Sequence, residues 1–173
     1  MLIDPKYYDE YIEKIGEEIL EDRTKNFLVM LLGTTGIPIR GRTLIVKEAF
    51  LFLKTMRSKL INPPDISFYP HRYGPYSRYL ANKLRELHGD GVLSIDGNKI
   101  GLNGRGHNVL EKVREEYKPE VWEDLVEFRI RLDQKGTDGI MKVVYEEFPD
   151  YTVNSAVRDR YLSRKNKLRE RGD

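Results

Sequence analysis

Between Tyr73 and Val113 the hydrophobic period changes from helical to alternating and back to helical, YGPYSRYLANKLRELHGDGVLSIDGNKIGLNGRGHNVLEKV, and few folds accept that succession in so short a stretch. Pro75 suits the first turn of a helix, where its missing N–H forfeits no hydrogen bond. Tyr76, Leu80, Leu84 and Leu87 then recur at helical spacing and predict one apolar stripe, with Arg78, Asn82 and Arg85 on the opposite face. After Gly89 and Gly91 the pattern becomes VLSI, Asp96-Gly97-Asn98, KIGL. That is a strand, a turn built from residues that tolerate positive φ, and a second strand. Asn103 is placed to cap a following helix that carries Val109, Leu110 and Val113 and ends near Tyr117.

The flanking sequence is helical on both sides. Asp4 caps and Pro5 opens an amphipathic helix to about Glu21, with Tyr8, Tyr11, Ile12, Ile15, Ile19 and Leu20 on its apolar side. NFLVMLL after Thr24 reads as a short buried helix, and the turn-rich segment GTTGIPIRGRT reads as a loop. Thr43 is the expected cap of a helix through about Leu60, whose core face is Leu44, Ala49, Phe50, Leu53 and Met56, stopped by Asn62-Pro63-Pro64. ISFYP predicts a short strand ending at Pro70. Pro119 starts a helix carrying Trp122, Leu125, Val126, Phe128 and Leu132, Lys135-Gly136 breaks it, and Thr137 opens another that Pro149 closes. A last helix is expected from about Thr152–Ser155 to the C-terminus.

These elements predict a mostly α-helical chain with a small β-hairpin, organised as a winged helix-turn-helix core over residues 23–117 with helical extensions at 1–22 and 118–173. With 173 residues, no internal repeat and no linker rich in Pro, Gly or Ser, a single domain is expected. The absence of cysteine excludes disulfides, thiolate-bound zinc and thiol nucleophiles. His71, His88 and His107 stand apart, without ligand spacing, so neither a metal nor another cofactor is expected. Gly33-Thr34-Thr35-Gly36 lacks the Gly-Lys-Ser/Thr ending of a phosphate loop. No catalytic constellation is visible, and an enzyme is not expected. The charged fraction of 34% without cysteine is a composition that thermophilic intracellular proteins often show. An acidic N-terminus and the lack of a long apolar run predict a soluble, cytoplasmic protein with no membrane contact.

The wing region resembles winged-helix transcription factors in its Leu102-Asn103-Gly104-Arg105-Gly106 segment, with Asn103 where those proteins usually cap with Thr. Over most of its length the chain is similar to the uncharacterised prokaryotic proteins grouped as YwgA-like. The residues that carry this are Ile39-Arg40-Gly41-Arg42-Thr43-Leu44, Phe68-Tyr69-Pro70-His71-Arg72-Tyr73-Gly74-Pro75-Tyr76-Ser77, the segment before Gly91, and Tyr145-Glu146-Glu147-Phe148-Pro149-Asp150-Tyr151. The Tyr-Gly-Pro pattern also resembles, more distantly, the Panacea-type antitoxin domain. These resemblances imply a fold and leave activity open. Ile45-Val46-Lys47 departs from the Leu-Gln-Lys expected after the Gly-Arg pair.

Two function classes follow. In the first, the chain is a DNA-binding transcription regulator, acting as a homodimer on double-stranded DNA. Arg78, Asn82, Lys83 and Arg85 would then belong to a recognition helix, where Arg reads guanine and Asn adenine. Lys99, Arg105 and His107 would touch the backbone or the minor groove from the wing. Arg164, Lys165, Lys167 and Arg169, within a basic tail, would add phosphate contacts. In the second class the same fold is a protein-interaction module, an antitoxin or assembly adaptor, and those side chains are a solvated surface. Net charge is only +2, so a nucleic-acid footprint has to come from local clustering. The aromatic residues Phe68, Tyr69, His71, Tyr73, Tyr76 and Tyr79 are expected to pack the strand–helix junction rather than to form a ligand pocket.

Overall fold

The computed structural model describes residues 4–161. It is mostly α-helical, with a small antiparallel β component. Helix α1 (Pro5–Glu21) begins with Pro5 in its first turn and Asp4 as its cap, the Asp4 carboxylate accepting from the Lys6 N–H at 3.0 Å. Asp22 serves two helices: its own N–H bonds Glu18 O to close α1, and its carboxylate accepts from the N–H groups of Thr24 and Lys25 to open α2 (Arg23–Gly33). That sharp reversal folds α1 back onto α2, which is buried along Phe27–Gly33.

Strand β1 (Ile39–Arg40) leads through Gly41 into α3 (Arg42–Thr55), in which every residue from Leu44 to Leu53 is buried. A helix buried on all sides is central by necessity. Gly41, not Thr43, holds the cap position, at φ 94°, and gives α3 no side-chain cap. The helix also ends earlier than its periodicity suggested, because Met56 leaves helical geometry and a 3-10 turn over Arg57–Lys59 carries the chain away.

Strands β2 (Tyr69–His71) and β3 (Gly74–Tyr76) form a separate hairpin before α4 (Arg78–Gly89). Pro75 and Tyr76 are therefore strand rather than first-turn residues, since Pro75 lies opposite Pro70 and its carbonyl accepts from the Lys47 ammonium at 2.7 Å. The helix starts where Ser77 can cap it, the Ser77 hydroxyl accepting from the Leu80 N–H at 3.2 Å. The expected hairpin follows as β4 (Leu93–Asp96) and β5 (Lys99–Leu102), turning through Gly97 at φ 60° and Asn98. Strand β1 adds to its far edge, giving the sheet order β1-β5-β4.

Asn103 caps α5 (Gly104–Glu115) and also ties it to the sheet: its carbonyl oxygen accepts from Gly106 N–H, and its amide donates to Gly91 O and Leu93 O. Helix α6 (Pro119–Glu147) contains the expected break at Gly136, where φ 66° and ψ 180° interrupt the helix. After a 3-10 turn over Pro149–Thr152 comes α7 (Arg158–Tyr161). Buried side chains from Ile19 on α1 to Tyr145 on α6 belong to one hydrophobic cluster, centred on α2 and α3. Among the described residues, no helix is long and apolar enough to cross a membrane.

Candidate nucleic-acid interface

Helix α4 presents three chemically different sides. Leu80, Leu84 and Leu87 are buried, with Leu84 only 4% exposed. Arg78, Asn82 and Arg85 are exposed, and the Arg85 guanidinium donates to the Asn82 amide oxygen at 3.2 Å. The third side faces α2 and is closed by ion pairs. Lys83 reaches Asp22 at 2.6 Å and Glu86 at 3.3 Å, and Lys25 reaches Glu86 at 3.4 Å and Asp90 at 2.9 Å. Burial alone would raise the Asp22 carboxyl, but the Lys83 hydrogen bond and the Lys25 and Thr24 N–H groups carry it below its usual value. Lys83 thus points at α2, away from Arg78, Asn82 and Arg85. The same pairs draw Glu86, the one acid on α4, toward α2, where Lys25 and Lys83 are shared with Asp22 and Asp90.

Two cations that the sequence reading passed over complete the exposed surface. Arg40 on β1 lies opposite Lys99 on β5, both exposed. Arg42, in the first turn of α3, lines a depression with Thr43, Ala81 and Arg85, so it stands beside α4. Like charges directly opposite across strands cost stability, and Asp96, facing Lys99 from β4, balances only part of the pair. The signal for Arg40 was weak, a two-residue strand inside a loop rich in turn residues. Its one sequence mark is Ile39, whose buried side chain anchors the strand.

The remaining candidates separate. His107, in the first turn of α5, shares a depression with Ser94, Asp96 and Lys99 and so sits beside the hairpin. Arg105 faces the other way, its guanidinium 5.2 Å from the centre of the Tyr8 ring on α1. Arg164, Lys165, Lys167 and Arg169 lie outside the described residues.

Two buried polar centres brace the helices behind this surface. Arg129 on α6 is fully buried; it donates to Leu31 O and Ile37 O, pairs with Asp133 at 3.0 Å, and lies 3.4 Å from Glu48 on α3. One guanidinium therefore joins α6, α3, the end of α2 and the segment entering β1. Burial pushes the Glu48 carboxyl up to about 7, Arg129 opposing and Asp133 adding to the shift. Lys47, donating to Pro75 O, is 1% exposed, and burial lowers its ammonium to about 8. Nearby, the Tyr145 hydroxyl hydrogen-bonds Ser155. The lysine, tyrosine and serine together have the makings of an acid–base set, but Lys47 and Tyr145 are sealed from solvent and serve the packing of the β2–β3 hairpin. Around them Phe50 meets Phe68, Phe148 and Tyr151 edge to face, and His71 stacks on Tyr76. Among the described residues no group of three or more His, Asp or Glu could hold a metal ion. Comparison of the chain with family models, with curated proteins and with solved structures gives no match.

Proposed function

We propose that residues 23–117 are a winged helix-turn-helix that binds double-stranded DNA, α4 entering the major groove and the β4–β5 hairpin acting as the wing, and that the chain is a transcription regulator. The supporting order is α2, β1, α3, the β2–β3 hairpin, α4, β4, β5, with β1 paired to the far strand of the β4–β5 hairpin. The observation that carries the reading is the division of α4: its leucines are inside, its one acid is held by lysines toward α2, and Arg78, Asn82 and Arg85 are exposed, Arg85 beside Arg42. Arg40, Arg42 and Lys99 then hold phosphates, while Asn82 and Arg85 read base edges. Binding as a homodimer would place two α4 helices one helical turn apart on a palindromic site.

The second reading, a protein-interaction module, is favoured by Tyr7 and Tyr11 on α1, 68% and 62% exposed. Titrating the isotope-labelled chain with a short duplex at low salt separates the two. DNA binding through this face shifts the amide resonances of Arg78–Arg85, Arg40–Arg42 and the hairpin. Shifts confined to α1, or none, remove the DNA reading and leave the protein-interaction one.

A further inference from the structure

Helices α1 and α5 pack against each other. A Cβ built on Gly16 would lie 3.7 Å from Val109 Cγ2, and between Asp9–Gly16 of α1 and Arg105–Lys112 of α5 the surface holds a cleft of about 260 Å3. That volume is just below the range of roughly 300–1,000 Å3 usual for small-molecule sites. Ile12, Ile15, Val92 and Val109 give it an apolar floor. Its lips carry opposite charge. Asp9 and Glu13, four residues apart on α1, form one; Arg105 and Lys112, with Asn108 between them on the same side of α5, form the other.

Among the described residues, none of Asp9, Glu13, Arg105 and Lys112 takes part in an ion pair, although both signs border the same cleft. Asp90 also borders the cleft and pairs with Lys25 at 2.9 Å, a lysine it shares with Glu86. Arg105 is placed without a carboxylate, its guanidinium over the Tyr8 ring, and its five N–H donors give it the means to bind another acceptor. A planar guanidinium held in this way suits bidentate recognition of a carboxylate.

We propose that this cleft binds a small zwitterion with an apolar body, of the size and kind of a branched-chain or aromatic amino acid. Its carboxylate rests on Arg105, its ammonium lies between Asp9 and Glu13, and its side chain covers Ile12, Ile15, Val92 and Val109. Each part of the ligand answers one part of the lining, and a ligand of a single charge leaves one lip unpaired. The site is separate from the face proposed for DNA and is tested without DNA.

The test is titration of the full isotope-labelled chain with L-leucine, followed at the amide resonances of Gly16, Val92 and Val109. Isocaproate, which lacks the amine, and isoamylamine, which lacks the carboxylate, are titrated in parallel. Leucine is expected to give saturable shifts, and each analogue to bind about tenfold or more weakly, the loss that accompanies one charge-assisted hydrogen bond. Arg105→Gln should weaken leucine and isocaproate but not isoamylamine, and Glu13→Gln should weaken leucine and isoamylamine but not isocaproate. Both substitutions are at exposed positions, and the spectrum itself reports whether the variants fold. No saturable shift with leucine at millimolar concentration, equal binding by either analogue, or indifference to Arg105→Gln would overturn the proposal.

Discussion

Glu48 and Arg129 are buried together, and they make stability depend on pH in a defined direction. The Glu48 carboxyl, usually near 4.5, is pushed up to about 7 by burial. Below pH 4.5 it is protonated in the folded and the unfolded chain alike. Between 4.5 and 7 the unfolded chain ionises while the folded one keeps its proton, so this contribution falls as pH rises and is lost above about 7. Denaturant unfolding across that interval should show Glu48→Gln losing less stability than the native chain as pH rises; parallel curves would refute the assignment. On α4 the residues divide by partner. Lys83→Ala should lower the unfolding midpoint by removing contacts to Asp22 and Glu86, and leave DNA sequence preference unchanged. Asn82→Ala should instead relax that preference, by about 1–3 kcal/mol at one base position, with little change in midpoint. Binding selections on the two variants distinguish them. Lys83 and Arg85 look alike in sequence, because helical spacing gives a residue's face but not which neighbour holds the opposite charge; Asp22 lies 61 positions from Lys83.

At the scale of elements, α4 and the hairpin depend on close packing at two points. Leu84 is 4% exposed, and Leu84→Ala should cost about 2–5 kcal/mol of stability, as core leucines do. Gly106 sits where a Cβ would fall 2.3 Å from Val92 O, a backbone atom that cannot step aside. Gly106→Ala should therefore force α5 off the sheet and cost about 1–3 kcal/mol. Calorimetric midpoints near the native value for both variants would refute this packing. The boundaries of α1, the β4–β5 hairpin and the Asn103 cap were legible in sequence because each rests on a local device: a cap, a Pro at the first turn, a turn with Gly at positive φ. Strand β1 was not, since two residues carry no period and Ile39 is recognisable only once its partner Ile100 is known. Pro75 misled for a similar reason: its local preference suits a helix start, but pairing with Pro70 and the buried Lys47 hold it in a strand. In α3, ten consecutive buried residues erase the amphipathic signal that would have marked its true end.

For the whole molecule, a net charge of +2 gives no general attraction to nucleic acid, so affinity must come from where the cations stand. The helix–hairpin–helix succession was legible as sequence. The basic surface was only half legible, because Arg40 and Arg42 join it through sheet pairing and helix packing, whereas Arg105 leaves it toward Tyr8. DNA binding through this surface is tested most directly by the salt dependence of duplex affinity, compared between the native chain and a variant with Arg40, Arg42 and Lys99 replaced by Gln. Each phosphate contact contributes about 0.9 to the slope of log affinity against log salt, so the triple variant should lose about 2.7 if all three touch phosphate. A native chain that binds duplex with a steep slope and a variant with a flattened one is the expected result. Equal slopes in the two proteins, or no duplex binding by the native chain even at low salt, would contradict it.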